Sequence, residues 1–482
     1  MSTQRVTPVS ASDVAAKLDT NKPRAEILEG PLAKSVFMLA YPSVATMLLQ
    51  TTNGFLDRFF VGHLESGPAA QAAVTVSSSL LFALMAAGMA ISVGTTALVA
   101  RAIGEGDRES AVKAAEQSLM LSLILSVLIA VPMWLFRTQI LTAFGLQPEA
   151  QGLAGNYLGV TILGLPTLFS MLAMNGAFRG MGDTVRPFYV TLGANLVHAF
   201  LNYCLIFGNF GFPALGLVGG AVALICSQAV ATALYAFFIR NSDLGAMNFF
   251  PRVEWDWIKR IGKIGLPASG QQIVRVGSMM IFQILLARLG AGDAAVAALG
   301  VGLMAESIAF MPGFGYSIAA SAFVGQNLGA NNPKRAAAGG WAATWQAVAI
   351  MSLMGVLFWI FAENFARFFV PHLPGETVAR AESVEATVAL IVSYLRVAAW
   401  SEPFLALGMV ITGALQGAGE TISPAYITVA TMLVMRVSLC YFVLTAGYGT
   451  EAAWWVMSVS TMVQGVATAY LFKRGNWQTK RV

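Results

Sequence analysis

The sequence predicts an all-α membrane protein: twelve transmembrane helices in two six-helix lobes related by a parallel internal repeat. Three observations predict it. Of 482 residues only 11% are charged and 57% are hydrophobic, with mean hydropathy +0.68; soluble domains carry about 25% charge. The apolar runs are continuous and about 20 residues or longer, enough to cross a bilayer as helices, and they lack the alternation of barrel strands. Four motifs of the first half also recur, in order, in the second.

Charge-poor runs place the spans at 33–60, 70–100, 117–138, 153–178, 186–209, 214–240, 262–288, 296–324, 336–362, 388–416, 422–446 and 450–473. Each is read as a helix, because an open strand leaves its backbone unpaired in lipid. With the N-terminus inside, the inner segments carry 21 of the 29 Lys and Arg residues. The outer loops carry Arg58, Arg137, Arg288, Arg367 and Arg380, while Arg275, Arg396 and Arg436 fall within spans. This bias places both termini in the cytoplasm.

The domains follow: 1–32, a cytoplasmic tail; 33–240, an N-lobe of spans 1–6; 241–261, a cytoplasmic interlobe linker; 262–473, a C-lobe of spans 7–12; 474–482, a second tail. Trp255 and Trp257 stand among charges in the linker, as interfacial anchors or as parts of an ordinary connection. No short apolar segment with a cleavage site precedes span 1, so that run is read as a retained span.

Several function classes are excluded. Cys204, Cys226 and Cys440 all lie in apolar runs, and their odd number argues against a disulfide framework. The net charge of +5 reports cytoplasmic loops; no basic stripe with aromatics points to nucleic acid. The sequence holds no HExxH, GxSxG or GxxxxGK[ST], and His63, His198 and His372 have no metal-ligand spacing. An enzyme, a cofactor and an ATP-driven pump are therefore not expected.

The repeat is carried by paired segments. LAYP (39–42) matches IGLP (264–267), and LVARAIGEGDRESA (98–111) matches FVGQNLGANNPKRA (323–336), both at an offset of 225. YLGVTILGLP (157–166) matches YLRVAAWSEP (394–403), and RGMGDTVRP (179–187) matches QGAGETISP (416–424), both at 237. Six spans per half make the repeats parallel, an arrangement that forms two lobes with a cavity between them. In the second turn motif, Gly180, Gly182, Gly417 and Gly419 suit a tight turn. Pro187 and Pro424 suit the first turn of the next helix, and Asp183 and Glu420 its N-terminus.

Polar residues inside spans are functional candidates, since a mid-membrane charge costs about 2.5–3.5 kcal/mol on insertion scales. Gln50, Asn53 and Asp57 in span 1 share one helical face, as do Asn195, His198 and Asn202 in span 5; span 4 adds Asn175. If these faces meet, one carboxylate among amides and an imidazole binds either a proton or Na⁺ at Asp57. A packed neutral histidine and an interfacial Asp57 are the bland alternatives. In the C-lobe, Arg275 is expected to pair with Glu306 or Glu402, with substrate binding as its alternative role. Trp400, Phe404, Met409 and Met435 are candidates for an apolar, adaptable substrate cavity.

The paired motifs, with GFLDRFFVG (54–62), resemble the multidrug and toxic compound extrusion (MATE) family over about residues 33–473. Features of its NorM-type and DinF-type branches are mixed. The resemblance implies a twelve-helix antiporter that exports drugs or metabolites against H⁺ or Na⁺. It aligns Asp57 with the family's span-1 coupling carboxylate, and Gln50 and Asn175 with polar cavity residues. Asn202 stands where the DinF-type branch has a second aspartate. Arg275 and Leu405 stand where the NorM-type branch has its C-lobe acids, so that branch's Na⁺ pair is not reproduced.

The expected function is therefore a monomeric antiporter of a prokaryotic plasma or inner membrane. It exports amphiphilic, mostly cationic compounds, with H⁺ favoured over Na⁺ as coupling ion. The alternative is a flippase for lipid-linked sugars or other lipids, which should line its cavity with several cations.

Overall fold

A computed structural model describes residues 21–64, 67–290, 292–371 and 377–480; of residues 21–24, 53, 55, 58, 67, 68, 378 and 379 only the backbone is described. The chain is helical, and no strand occurs among the described residues. Among the described residues, eleven helices are long and apolar enough to cross a membrane, or twelve when one bent pair counts as a single span. We label these α1 (Leu32–Gly62), α2 (Gly67–Glu105), α3 (Arg108–Leu135), α4 (Pro148–Leu163 and Leu165–Gly180), α5 (Val185–Phe207) and α6 (Leu217–Arg240). The second half holds α7 (Trp255–Leu289), α8 (Gly292–Gly329), α9 (Pro333–Phe369), α10 (Val378–Gly417), α11 (Ile422–Thr445) and α12 (Gly449–Arg474).

Most helices outrun the predicted spans because charged turns extend them beyond the apolar core. Span 4, expected as one rod, bends by 49° at Gly164, where Pro166 in the next turn removes an intrahelical donor. In α11 a π-helical segment, Val429–Met435, interrupts the α-helix. The residues expected as linker end sooner: α7 begins at Trp255, and Trp257 lies under the Arg260 guanidinium at 5.1 Å.

The two turn motifs fold alike in each half. Gly182 and Gly419 both have φ +78°, a left-handed conformation that favours glycine. The Asp183 N–H donates to Phe178 O (3.0 Å) and the Glu420 N–H to Leu415 O (2.8 Å). Asp183 Oδ1 then accepts from the N–H groups of Val185 and Arg186, and Glu420 Oε1 from that of Ser423, capping α5 and α11. Asp107 and Asn332 cap α3 and α9 in the same way. These geometries are consistent with the sequence repeat.

All four turns lie at the inner end, named from the basic-residue bias, and there the halves touch backbone to backbone. A Cβ on Gly104 would overlap the Gln326 carbonyl oxygen, and one on Gly329 that of Arg101. Gln326 Nε2 donates to Gly180 O across the halves (2.8 Å). The short helix Asn21–Glu29 covers this junction: Ile27 is buried, and its carbonyl accepts from Arg335 Nε at 3.1 Å. Nearer mid-span, Ser269 Oγ donates to Ala86 O (2.9 Å), and a Cβ on Gly265 would overlap Ala90 O.

Each half has two apolar cores, and α1 and α7 each change core along their length. The inner part of α1 (Val36, Leu39, Ala40) packs with Tyr316, Phe323 and Ala414 of the second half, while Val61 near its other end joins Tyr157 and Phe169 of the first. Conversely, Ile261 and Ile264 of α7 pack with Leu98, Phe178 and Tyr235 of the first half, and Phe282 and Leu286 with Trp454 of the second. These two helices tie the halves together.

Two outcomes are expected. Gly104→Val should cost about 1–3 kcal/mol through overpacking and lower the thermal midpoint in detergent. Gly277→Ala, at a position where an added Cβ meets nothing within 4 Å, should leave it unchanged. Burial pushes the Glu420 carboxyl up, but Lys480 Nζ at 2.7 Å and the Ser423 donors outweigh it and hold the group below its ordinary 4.5. Its contribution is therefore present above about pH 4.5 and lost as pH falls through the depressed value. The gap in thermal midpoint between wild type and Glu420→Gln should be full at pH 7 and close at acid pH.

Candidate functional site

Between the halves lies a cavity of about 630 Å³, the volume of a drug-sized ligand site. Helical spacing decides what faces it. Met171, Asn175 and Arg179 of α4, and Ala268, Gln271, Gln272 and Arg275 of α7, each share one face. Gln50 of α1 and Asn195 of α5 join them, with Phe310 and Phe314 of α8 and Met409, Thr412 and Gln416 of α10. Methionines 47, 85, 89, 171, 311 and 409 all contribute, a flexible apolar lining that repacks around different shapes.

The charges on this lining have one sign. Arg179 and Arg275 face the cavity, and no Asp or Glu is among its described lining residues. Among the described residues neither guanidinium forms an ion pair or side-chain hydrogen bond. The expected pairing of Arg275 with Glu306 or Glu402 is thus not formed. Those acids lie outside the lining, within electrostatic reach of each other. Arg436, rather than Arg275, is the arginine within electrostatic reach of Glu306, and Arg275 in turn lies within reach of Arg436. Arg436 also donates to Ser460 Oγ (2.8 Å) and Thr461 Oγ1 (2.9 Å). Arg396 sits over the Trp359 ring at 5.8 Å. An expected cargo of mostly cations finds no counter-charge on this wall.

The N-half polar residues divide into two sets. Gln50, Asn175 and Asn195 line the cavity, and Asn195 Nδ2 donates to Leu49 O (2.8 Å), joining α5 to α1. Farther along the same two helices, Asp57 meets α5. His198 Nε2 lies 2.7 Å from Asp57 Oδ1, and Asn202 Nδ2 donates to the same oxygen at 2.8 Å. When the carboxylate is ionised it only accepts, and Nε2 then carries the ring proton in this contact. The 3.1 Å approach of Asn202 Nδ2 to Nε2 is then the meeting of two donors on one acceptor. The histidine side chain is 2% exposed and that of Asp57 38%. Asn202 Oδ1 is buried without a partner among the described residues, while the His198 ring also lies against the Ala223 backbone. The side chain of Asn53 lies outside the described ones.

Of the apolar candidates, Met409 alone lines the cavity. Trp400 is nine residues earlier on α10, roughly half a turn round the helix, and is 62% exposed. Phe404 lies beside Gly465 of α12, and Met435 belongs to the π-helical segment of α11. Arg179 reads in sequence as an inner-loop charge, so charge placement alone does not mark it as a cavity residue. Its position four residues after Asn175 is the signal that could have found it.

The MatE family model matches residues 42–204 and again 267–442. A protein of Thermotoga maritima described as probable multidrug resistance protein NorM is 28% identical over 469 residues, covering 95% of this chain and 96% of its own. Its namesake in Pseudomonas putida is 27% identical over 457 residues, covering 93% and 95%. Among solved structures, an outward-facing multidrug resistance MATE transporter of the MOP superfamily superposes with a TM-score of 0.85 at 24% identity, covering 95% of this chain and 99% of its own. A MOP superfamily transporter from Pyrococcus furiosus gives 0.84 at 24%, with the same coverage. These structural likenesses are likenesses of fold.

Asn202→Leu removes one donor from Asp57 and should destabilise the protein by about 1.5–3 kcal/mol, the range for a hydrogen bond to a charged group. His198→Gln, which keeps an N–H, should cost less. Thermal midpoints in detergent at pH 7 check both; an unchanged midpoint for Asn202→Leu would show that the contact contributes nothing.

Proposed function

The chain belongs to the MatE family, and we propose that it is a secondary active multidrug efflux antiporter. In this reading it exports amphiphilic organic compounds in exchange for H⁺ by alternating access. The observation that carries the reading is the Asp57–His198–Asn202 cluster. It lies outside the cavity but on α1 and α5, the helices that bring Gln50 and Asn195 to the cavity wall. The name of the Thermotoga and Pseudomonas relatives supports the cargo class. The inner-end closure supports an outward-facing state, and the basic residues support a cytoplasmic placement of both termini in a prokaryotic plasma membrane.

A proton is favoured over Na⁺ by the groups around Asp57. Its partners are an imidazole nitrogen and an amide N–H, whereas a hard cation takes oxygen ligands. Protonation replaces an acceptor with a donor at the carboxyl and weakens its hold on both α5 side chains. Helix α1 is then freer to move against α5. Because its inner part packs in the other half, that movement reaches the interface between the halves. Export requires protonation and cargo binding to oppose each other, and that coupling is reciprocal.

The test uses the full chain in liposomes with fluorescent amphiphilic dyes of either charge. A pH gradient alone should drive dye movement, and a Na⁺ gradient alone should not. Asp57→Asn should abolish driven movement while gradient-free exchange of dye persists. Driven movement by Asp57→Asn at the wild-type rate would remove Asp57 from the mechanism. Movement driven only by Na⁺ would assign a metal ion to this site.

A further inference from the structure

Among its described lining residues the cavity wall carries two guanidinium groups, no carboxylate and a ring of amides and methionines. Arg179 marks its floor: the next residue, Gly180, receives the Gln326 hydrogen bond that crosses the inner closure. Arg275 stands on α7 at the end of the face begun by Ala268, Gln271 and Gln272. The acids of the C-half do not serve Arg275, since Glu306 has Arg436 within electrostatic reach and Glu402 lies off the cavity. A cation entering this cavity meets like charge and amides; an anion meets two unpaired donors of planar, two-pronged geometry.

We infer that the cargo bears an anionic group (carboxylate, sulfonate or phosphate) on an apolar, aromatic body, and that Arg275 is its counter-ion. The inference rests on the exporter reading for its direction of transport, but not for its binding chemistry. The amphiphile's anionic head exchanges its hydration for the Arg275 fork, with Arg179 adding a second positive charge toward the floor. Its apolar body fills the space among Met85, Met171, Phe310 and Phe314. The cavity volume of about 630 Å³ suits a molecule of drug size. The same head chemistry occurs on acidic drugs and on phospholipids, so the test separates these sources.

Sulforhodamine B and rhodamine 6G share a tricyclic aromatic body and differ in charge, the first net anionic and the second cationic. Binding of each to the purified full chain is read by fluorescence anisotropy. Wild type should bind sulforhodamine B the more tightly. Arg275→Gln should weaken that binding roughly tenfold or more, as expected for losing a charge-assisted pair. Arg275→Lys, which keeps the charge without the fork, should weaken it less than Arg275→Gln does, and Arg275→Glu should turn the preference toward rhodamine 6G. A wild-type preference for rhodamine 6G overturns the inference without recourse to any variant, as does a folded Arg275→Gln protein that binds sulforhodamine B unchanged.

Transport is then followed in neutral-lipid vesicles, beside dithionite quenching of a fluorescent phosphatidylglycerol. Movement of sulforhodamine B under a gradient identifies a soluble organic acid as cargo. Arg275-dependent flipping of the lipid without dye movement supports the anionic head but overturns the exporter reading. Binding of sulforhodamine B with movement of neither probe also sinks the exporter and leaves the binding inference standing.

Discussion

The structure depends on how closely α2 and α8 approach at the inner end. Gly104 and Gly329 let each backbone lie against a carbonyl of the other half, a distance no side chain permits. This closure gives the cavity a floor at Arg179 and draws the four motif turns into one junction. It also explains why the turns are short, capped and left-handed at Gly182 and Gly419. A longer or looser turn would hold the helix ends apart and leave carbonyls unpaired in a region of low dielectric, where each costs several kcal/mol.

Helices α1 and α7 turn that junction into something that can transmit a change. Each begins in the core of one half and ends in that of the other, so neither half can move without bending or sliding them. The ionisable cluster sits on the first-half end of α1, and its opposite end is fixed among second-half residues. Packed interfaces of this kind shift between discrete arrangements rather than deform continuously. A change of one hydrogen-bond acceptor at Asp57 therefore has a mechanical route to the cavity without touching it.

Much of this was legible in the sequence, for identifiable reasons. Span positions follow from charge density, and the capped turns follow from Gly, Asp and Pro at fixed offsets. Equal spacing on two helices puts Asp57 within possible reach of His198 and Asn202, because it leaves few ways to bury both faces. What spacing does not state is which neighbour a face meets. Arg275 and Glu402 are both polar residues in apolar helices, yet one turns to the cavity and the other into the C-half core. Trp400 and Phe404 are apolar residues on the same helix as Met409, and only their phase on α10 keeps them out. The crossing of α1 and α7 between cores leaves no periodic signature, since both ends of each helix are simply apolar.

In the proposed exchange, cargo charge and the coupling proton together determine what drives a cycle. In a one-for-one exchange, a cation leaving as a proton enters moves no net charge, and only the pH difference does work. An anion leaving as a proton enters moves about two positive charge equivalents inward. Each is worth about 2.3 kcal/mol per 100 mV of membrane potential, so the inside-negative potential adds to the pH difference instead of standing idle. Two unpaired arginines on the cavity wall and a carboxylate held outside it thus belong to one scheme. In the proposed cycle the proton site keeps its negative charge away from the cargo, and the cavity keeps its positive charge free for it. Placing Asp57 on the wall would offer Arg275 or Arg179 an internal partner and cancel the selectivity that the separation of the two sites preserves.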